Sequence, residues 1–183
     1  MGQRRTEVLQ AAIGLLDEVG LDALTMRLLA SRLGVRASAL YRHYPSKQAL
    51  LDAMVAHLVS VADDVAPLAD APWDELLRGV ASGVRDIMLA HRDGARLISG
   101  FQHPGDEAVS TFERLIAALV AAGIPADVAA VAVDTVLAYA NGYTIEEQNR
   151  KTGADGWPRE HRDRAFQAGL DLIVSGVRGT LVQ

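Results

Sequence analysis

Cysteine is absent from the 183 residues, which excludes both a disulfide framework and a thiolate metal site. A disulfide-free chain fits a reducing cytosol. A signal-peptide pattern is also missing, since Arg4, Arg5 and Glu7 lead into an amphipathic stretch and not an apolar one. No uninterrupted apolar run reaches the length that spans a bilayer. The expected location is therefore cytoplasmic. Catalytic signatures are equally scarce. The five histidines are scattered, no His-x-x-x-His or Glu-x-x-His pair occurs, and no glycine-rich phosphate loop is present. These absences predict a non-enzyme with no cofactor and no metal site.

What is present is apolar. Half of the residues are hydrophobic and 22% are charged, enough to bury a sizeable core and to disfavour disorder. The net charge of −5 is unevenly spread. Residues 1–47 carry 7 Lys/Arg against 4 Asp/Glu, a net of +3, and residues 48–183 carry 11 against 19, a net of −8. A basic head on an acidic body turns the head toward a polyanion. Chance variation in surface charge gives a split of this size as well.

Every segment reads as helix. Val8, Ala12, Leu15, Leu16 and Val19 recur at helical spacing, and Gly20 supplies a stop. Thr25 caps a short second helix carrying Leu28, Leu29 and Leu33 inward, ended by Gly34. A third helix covers about 37–43, and Pro45 bars its continuation. Ser46 caps a fourth, with Leu50, Leu51, Met54, Leu58 and Val61 on one face. Beyond Pro67 and Pro72, Trp73 opens a helix that reaches about Ala90. Residues 91–105 break into short pieces, 107–122 form a helix stopped by Gly123, and a long helix runs from Ala126 to about Asn149. A loop at 152–158 precedes a last helix over about 159–181. No strand pattern or internal repeat competes, so the expected class is all-α.

The stretch LTMRLLASRLGVRASALYRHYPSKQALL, residues 24–51, places two short helices around the turn Leu33-Gly34-Val35. Ala30 is small enough for a close crossing, and Val35 and Leu40 plug the gap. Such a pair lays its second helix in a major groove, although a generic helical hairpin has the same spacing. Gly34-Val35, Leu40-Tyr41-Arg42-His43-Tyr44, Lys47 and Leu50-Leu51 resemble the DNA-binding signature of the tetracycline-repressor (TetR) family. His91-Arg92-Asp93-Gly94-Ala95, Gly142-Tyr143-Thr144-Ile145-Glu146-Glu147-Gln148 and Trp73 are similar to segments of the tetracycline repressors' ligand-binding body.

That resemblance implies a three-helix helix-turn-helix head, residues 1–47, on a larger helical effector-binding and dimerisation body, residues 48–183, joined by the helix around 46–65. It implies a ligand-responsive repressor that binds a near-palindromic operator as a homodimer. Arg27 matches an arginine that reads a base, its fork suiting guanine O6 and N7. Ala37, Ser38 and Ala39 match the base-facing start of the recognition helix, and Arg42 a further groove-facing position. Thr25, Tyr41, His43 and Lys47 match phosphate contacts, which set register without reading sequence. The tetracycline repressors carry different residues at positions 37, 38, 39 and 42, which implies a different operator. The plainer readings are a buried core aromatic for Tyr41, a favourable helix-end cation for His43 and a solvated charge for Lys47.

Two helices read as buried on more than one side. Residues 128–140 are apolar except for Asp134 and Thr135. In the last helix Phe166, Leu170, Ile173, Val177 and Leu181 form one stripe, and Ala165, Gly169, Leu172, Gly176 and Thr180 form a second. Gly142, Gly169 and Gly176 suggest close helix approach, since a helical glycine costs about 1 kcal/mol relative to alanine. The resemblance implies that these two helices make a four-helix dimer interface. Asp134 then faces a partner's arginine or an effector.

The positions that correspond to drug and metal contacts in the tetracycline repressors are Asp63, Val80, Val84, Ile98, Phe101, Leu115 and Glu146. Only Glu146 is kept. Ile98 stands where a metal-liganding histidine is expected, and the neighbouring His103 is followed by proline and glycine. An effector more apolar than magnesium-tetracycline, bound without metal, is the expectation. Glu146 and Glu147 read equally well as solvated charges at a helix end, and His57 as a surface histidine. An all-α enzyme and a protein-binding adaptor are the rival classes, and an adaptor has no reason to gather Arg27 and the Tyr41–Lys47 cluster at one end.

Overall fold

The computed structural model describes residues 2–63, 71–102, 106–150 and 158–180. Among these, helix is the only regular element: α1 (Gly2–Val19), α2 (Met26–Arg32), α3 (Ala37–Tyr41), α4 (Lys47–Asp63), α5 (Trp73–Ala90), α6 (Gly94–Ser99), α7 (Asp106–Ala121), α8 (Ala126–Arg150) and α9 (Arg159–Gly179). The all-α expectation is met. Pro67, residues 152–157 of the loop expected at 152–158, His103 and Leu181 lie outside the described residues.

Helix ends fall where the chemistry puts them. Gly20, Gly34 and Gly123 take positive φ values of 83°, 65° and 93°, a conformation that side-chain-bearing residues resist. At Gly34 the Val35 N–H donates to the Ala30 carbonyl at 3.0 Å and the Gly34 N–H to Ser31 at 3.2 Å, the paired bonds of a Schellman stop. The same pair recurs at Gly123, with Ile124 donating to Leu119 at 3.1 Å. Thr25 Oγ1 accepts from the Leu28 N–H at 3.1 Å and Ser46 Oγ from Ala49 at 3.0 Å, each relieving an orphan donor of a first turn.

The chain divides into two compact units, Met1–Val65 with Ile87–Ala108, and Ala66–Asp86 with Val109–Gln183. In the first unit α1 packs on α2 and α4, α2 on α3, and α4 on α6, so α4 and α6 share the head's packing. Its core holds Val8, Ala12, Leu15, Leu16, Leu24, Leu29, Leu40, Leu50 and Met54. Leu28 corrects the sequence expectation: it is exposed, and Met26 is buried in its place. A seven-residue helix has too few turns for periodicity to fix its inward face.

In the second unit Leu77 and Ala81 of α5, Leu115 and Leu119 of α7, and Phe166, Leu170 and Val177 of α9 pack with Ala129, Ala132, Val133, Val136 and Ala140 of α8. The α8 residues occupy a single face. Opposite it, Val131, Asp134, Thr135, Ala138 and Gly142 are exposed in the single chain, so α8 is less enclosed than its composition suggests. Its length and average hydropathy would also let it cross a membrane, but that apolar content is what fills the core. In α9 Val174 is buried where Ile173 was expected, and Leu172 of the second stripe is 77% exposed. Gly169 is required by close approach, because a Cβ there would collide with the Tyr139 hydroxyl. Gly142 and Gly176 meet nothing within 4 Å.

Candidate nucleic-acid interface and ligand-binding body

The recognition-helix candidate α3 is a single turn and a half. It ends at Tyr41, two residues earlier than the spacing predicts, and Pro45 follows a turn in which the His43 and Tyr44 N–H groups both donate to the Leu40 carbonyl at 2.9 Å. Leu40 plugs it into the head at 2% exposure. Around that plug Ser38, Tyr41, Arg42 and His43 are exposed, and Ala37 and Ala39 half-buried. Tyr41 is 49% exposed, so the core aromatic of this segment is Tyr44, at 1%. The Arg5 guanidinium lies 5.5 Å from the Tyr44 ring centroid, and burial pushes the Tyr44 hydroxyl's pKa above its usual value.

Arg27 on α2 is exposed. Thr25 uses its oxygen lone pair for capping and keeps its hydroxyl hydrogen to donate. Lys47 is not simply solvated: its Nζ donates to the Leu21 carbonyl at 3.1 Å, which leaves two of three ammonium hydrogens for another acceptor.

Residues 91–102 are bound to the head at both ends. Asp17 accepts the Arg92 N–H at 2.9 Å and lies 3.0 Å from His91 Nδ1, while Arg92 Nη1 donates to the Glu18 carbonyl at 2.9 Å. That carbonyl is among the last of α1, where the helix dipole favours a cation. Arg96 pairs with Asp22 at 2.9 Å and holds its carboxyl below the usual range. Asp93, left-handed at φ 56°, accepts the Leu21 N–H at 2.9 Å, so Leu21 is held by Asp93 at its N–H and by Lys47 at its carbonyl. At the far end Gln48 Nε2 donates to Asp52 at 2.8 Å and to the Gly100 carbonyl at 3.2 Å, and Asp52 accepts the Gln102 N–H at 3.0 Å. The segment thus ties the end of α1 to α4. No local pattern announces these pairs.

The second unit buries an ionic cluster. Glu147, 3% exposed, accepts from Arg85 Nε at 2.9 Å, Arg85 Nη2 at 3.2 Å and Arg162 Nε at 3.0 Å, and Arg85 also donates to Asp163 at 2.6 Å. Arg85 lies 4.9 Å from the Phe166 ring centroid, with Tyr139 and Tyr143 packed on the same ring. Burial alone would lower the guanidinium's pKa, but Glu147 and Asp163 more than reverse it. Burial raises both tyrosines. Glu147 is therefore no solvated helix-end charge. Glu146 is one: its side chain is exposed and pairs with Arg150 at 2.9 Å.

The other effector candidates are distributed over both units. Ile98, buried, and Phe101, 37% exposed, belong to the first. Val80 and Val84 are half-buried in the second, and Leu115 sits in its core. The backbone of Asp63 closes α4, and its side chain lies outside the described residues. Asp134 is exposed and His57 half-buried. Among the described residues no group of three His, Asp or Glu could hold a metal ion.

Comparison with known proteins divides the chain along its sequence, one family model falling within the first unit and the other running through parts of both. Residues 8–54 match the model for bacterial regulatory proteins of the tetR family, and residues 66–163 that for the tetracyclin repressor-like C-terminal domain. The chain is 37% identical to the class A tetracycline repressor of transposon 1721 from Escherichia coli, covering 93% of this chain and 88% of that one. A TetR variant of Acinetobacter baumannii AYE, solved in complex with minocycline, superposes with a TM-score of 0.85 at 34% identity over 94% of this chain and 95% of that one. BioQ with its natural double-stranded DNA operator superposes with a TM-score of 0.78 at 34% identity over 94% and 96%.

Proposed function

The chain belongs to the TetR family of bacterial regulatory proteins, and from that premise we propose how its own residues perform the work of a ligand-responsive repressor. It binds operator DNA through the helix-turn-helix head and releases it when a small molecule occupies the body. Tyr41, His43, Thr25 and the free hydrogens of Lys47 hold phosphates. Arg27, Arg42 and the Ala37–Ala39 turn face base edges. The observation that carries this reading is the exposure of Tyr41 beside exposed Arg42 and His43 on a helix anchored by buried Leu40.

Two protomers pair through the outward faces of α8 and α9, where Val131 and Leu172 are the most exposed large apolar side chains. A two-fold dimer presents two α3 helices to half-sites about one helical turn, roughly 34 Å, apart or a multiple of that. The location that follows is the cytoplasm, where bacterial operators are.

The effector is more apolar than magnesium-tetracycline and bound without metal. Ile98 and Phe101 lie between the two anchor points of residues 91–102, so a ligand touching them displaces the segment that ties α1 to α4. A ligand shifts the DNA-binding equilibrium only by its differential affinity for the two arrangements. Magnesium-tetracycline is expected to leave the melting temperature unchanged in a thermal-shift assay, whereas apolar polycyclic compounds raise it. Stabilisation by magnesium-tetracycline would overturn this choice of effector.

Gel-shift on DNA upstream of the chain's own gene, across a salt series, tests the operator reading. Affinity falls steeply with salt through counterion release. Changing Tyr41 to Phe weakens binding to all sequences alike, because a phosphate contact carries no base information. Salt-independent binding, or no binding at low ionic strength, would contradict it.

A further inference from the structure

The guanidinium groups of the first unit whose side chains are described fall into two sets. Arg32 pairs with Glu18, Arg92 with the Glu18 carbonyl, Arg96 with Asp22, and Arg5 lies over Tyr44. Arg27, Arg36 and Arg42 have no such partner among the described residues, and all three are exposed. The paired arginines serve the fold. Arg36 and Arg42 flank α3, and Arg27 stands on α2, which packs against it.

We propose that Arg36 is a base-reading residue, and that with Arg27 and Arg42 it makes the operator half-site one read by guanidinium forks at guanines. The proposal rests on the operator-binding reading above and deepens it. The first turn of α3 is Ala37-Ser38-Ala39, which offers base edges two methyl groups and one hydroxyl. Methyls suit a thymine methyl but donate nothing, and a serine hydroxyl pairs with several bases. Hydrogen-bond discrimination therefore falls on longer side chains flanking the turn. Arg36 immediately precedes it. Its backbone is extended, at φ −76° and ψ 144°, and its carbonyl accepts the Ala39 N–H at 2.9 Å, so its base is fixed to the recognition helix. Its side chain makes no capping hydrogen bond. No acceptor among the described residues takes its five guanidinium hydrogens, which form the fork that matches guanine O6 and N7.

The test is selection of randomised duplexes by the full-length chain, read by sequencing, with Arg36→Ala and Arg36→Lys beside the unchanged protein, followed by titrations of the enriched site in two salt concentrations. Arg36→Ala flattens the preference at one G·C pair per half-site by about tenfold, other positions holding their preferences. Arg36→Lys flattens the same pair, because a point charge cannot reproduce the fork. An Arg36→Ala variant that weakens every sequence evenly and lowers the salt slope by about 1, with Arg36→Lys restoring both, makes Arg36 a phosphate contact and overturns the proposal. No effect of either substitution on an enriched site overturns it too. An unchanged protein that enriches no sequence overturns the operator reading instead.

Discussion

Replacing Leu172 by Arg is expected to convert the protein into a monomer and to lower its operator affinity by at least a hundredfold. Leu172 is 77% exposed in the single chain, on the opposite side of α9 from buried Phe166, Leu170 and Val174. If that face were free surface, the substitution would change stability by no more than about 0.5 kcal/mol. Packed at the centre of a two-fold interface, it instead places two unpaired guanidinium groups against each other without water, which association does not survive. Each monomer then holds one half-site, and the gain from linking two binding events, about 10²- to 10⁴-fold, is lost. Sedimentation velocity checks the mass, and a titration on operator DNA checks the affinity. The monomer keeps its helical circular dichroism, since the second unit's own core is untouched. A variant that stays dimeric and binds as before places the interface elsewhere.

Glu147 is the second large effect. Its carboxylate accepts from both Arg85 and Arg162, and its side chain is 2% accessible. Glu147→Ala leaves the buried Arg85 with only the half-exposed Asp163, a loss of about 3–5 kcal/mol. For a chain of this size that lowers the melting temperature by roughly 10 °C or more at fixed protein concentration. Arg85→Met in the same chain should recover part of the loss, because it removes the stranded charge. The adjacent Glu146→Ala is expected to cost under about 0.5 kcal/mol, since its pair with Arg150 is solvent-screened. Equal effects at 146 and 147 would show that the cluster does not hold the body together.

The contrast between these neighbours marks what was legible in the sequence. Helix stops at Gly20, Gly34 and Gly123 and caps at Thr25 and Ser46 follow from local chemistry and could be read from residues a few positions apart, whereas the exposed cluster from Tyr41 to His43 was legible through the family resemblance. The resemblance to the family pointed at Glu146, whereas the buried partner of Arg85 is Glu147, 62 positions away. Neither periodicity nor spacing encodes that distance. The same holds for Asp93, which accepts from Leu21 across 72 positions, and for Asp17, which accepts the Arg92 N–H across 75. Arg36 is inconspicuous in the sequence for a different reason. The expected reading face begins at Ala37, and only the pairing of Arg5, Arg32, Arg92 and Arg96 sets Arg36 with Arg27 and Arg42.

Dimethyl sulfate footprinting of the protein on its enriched operator tests the central claim most directly, because the reagent attacks guanine N7 in the major groove. The account predicts two clusters of protected guanines related by a dyad, with centres about one helical turn, roughly 34 Å, apart or a multiple of it. A single cluster, or full binding with every guanine N7 still reactive, would mean that α3 does not enter the major groove as paired copies.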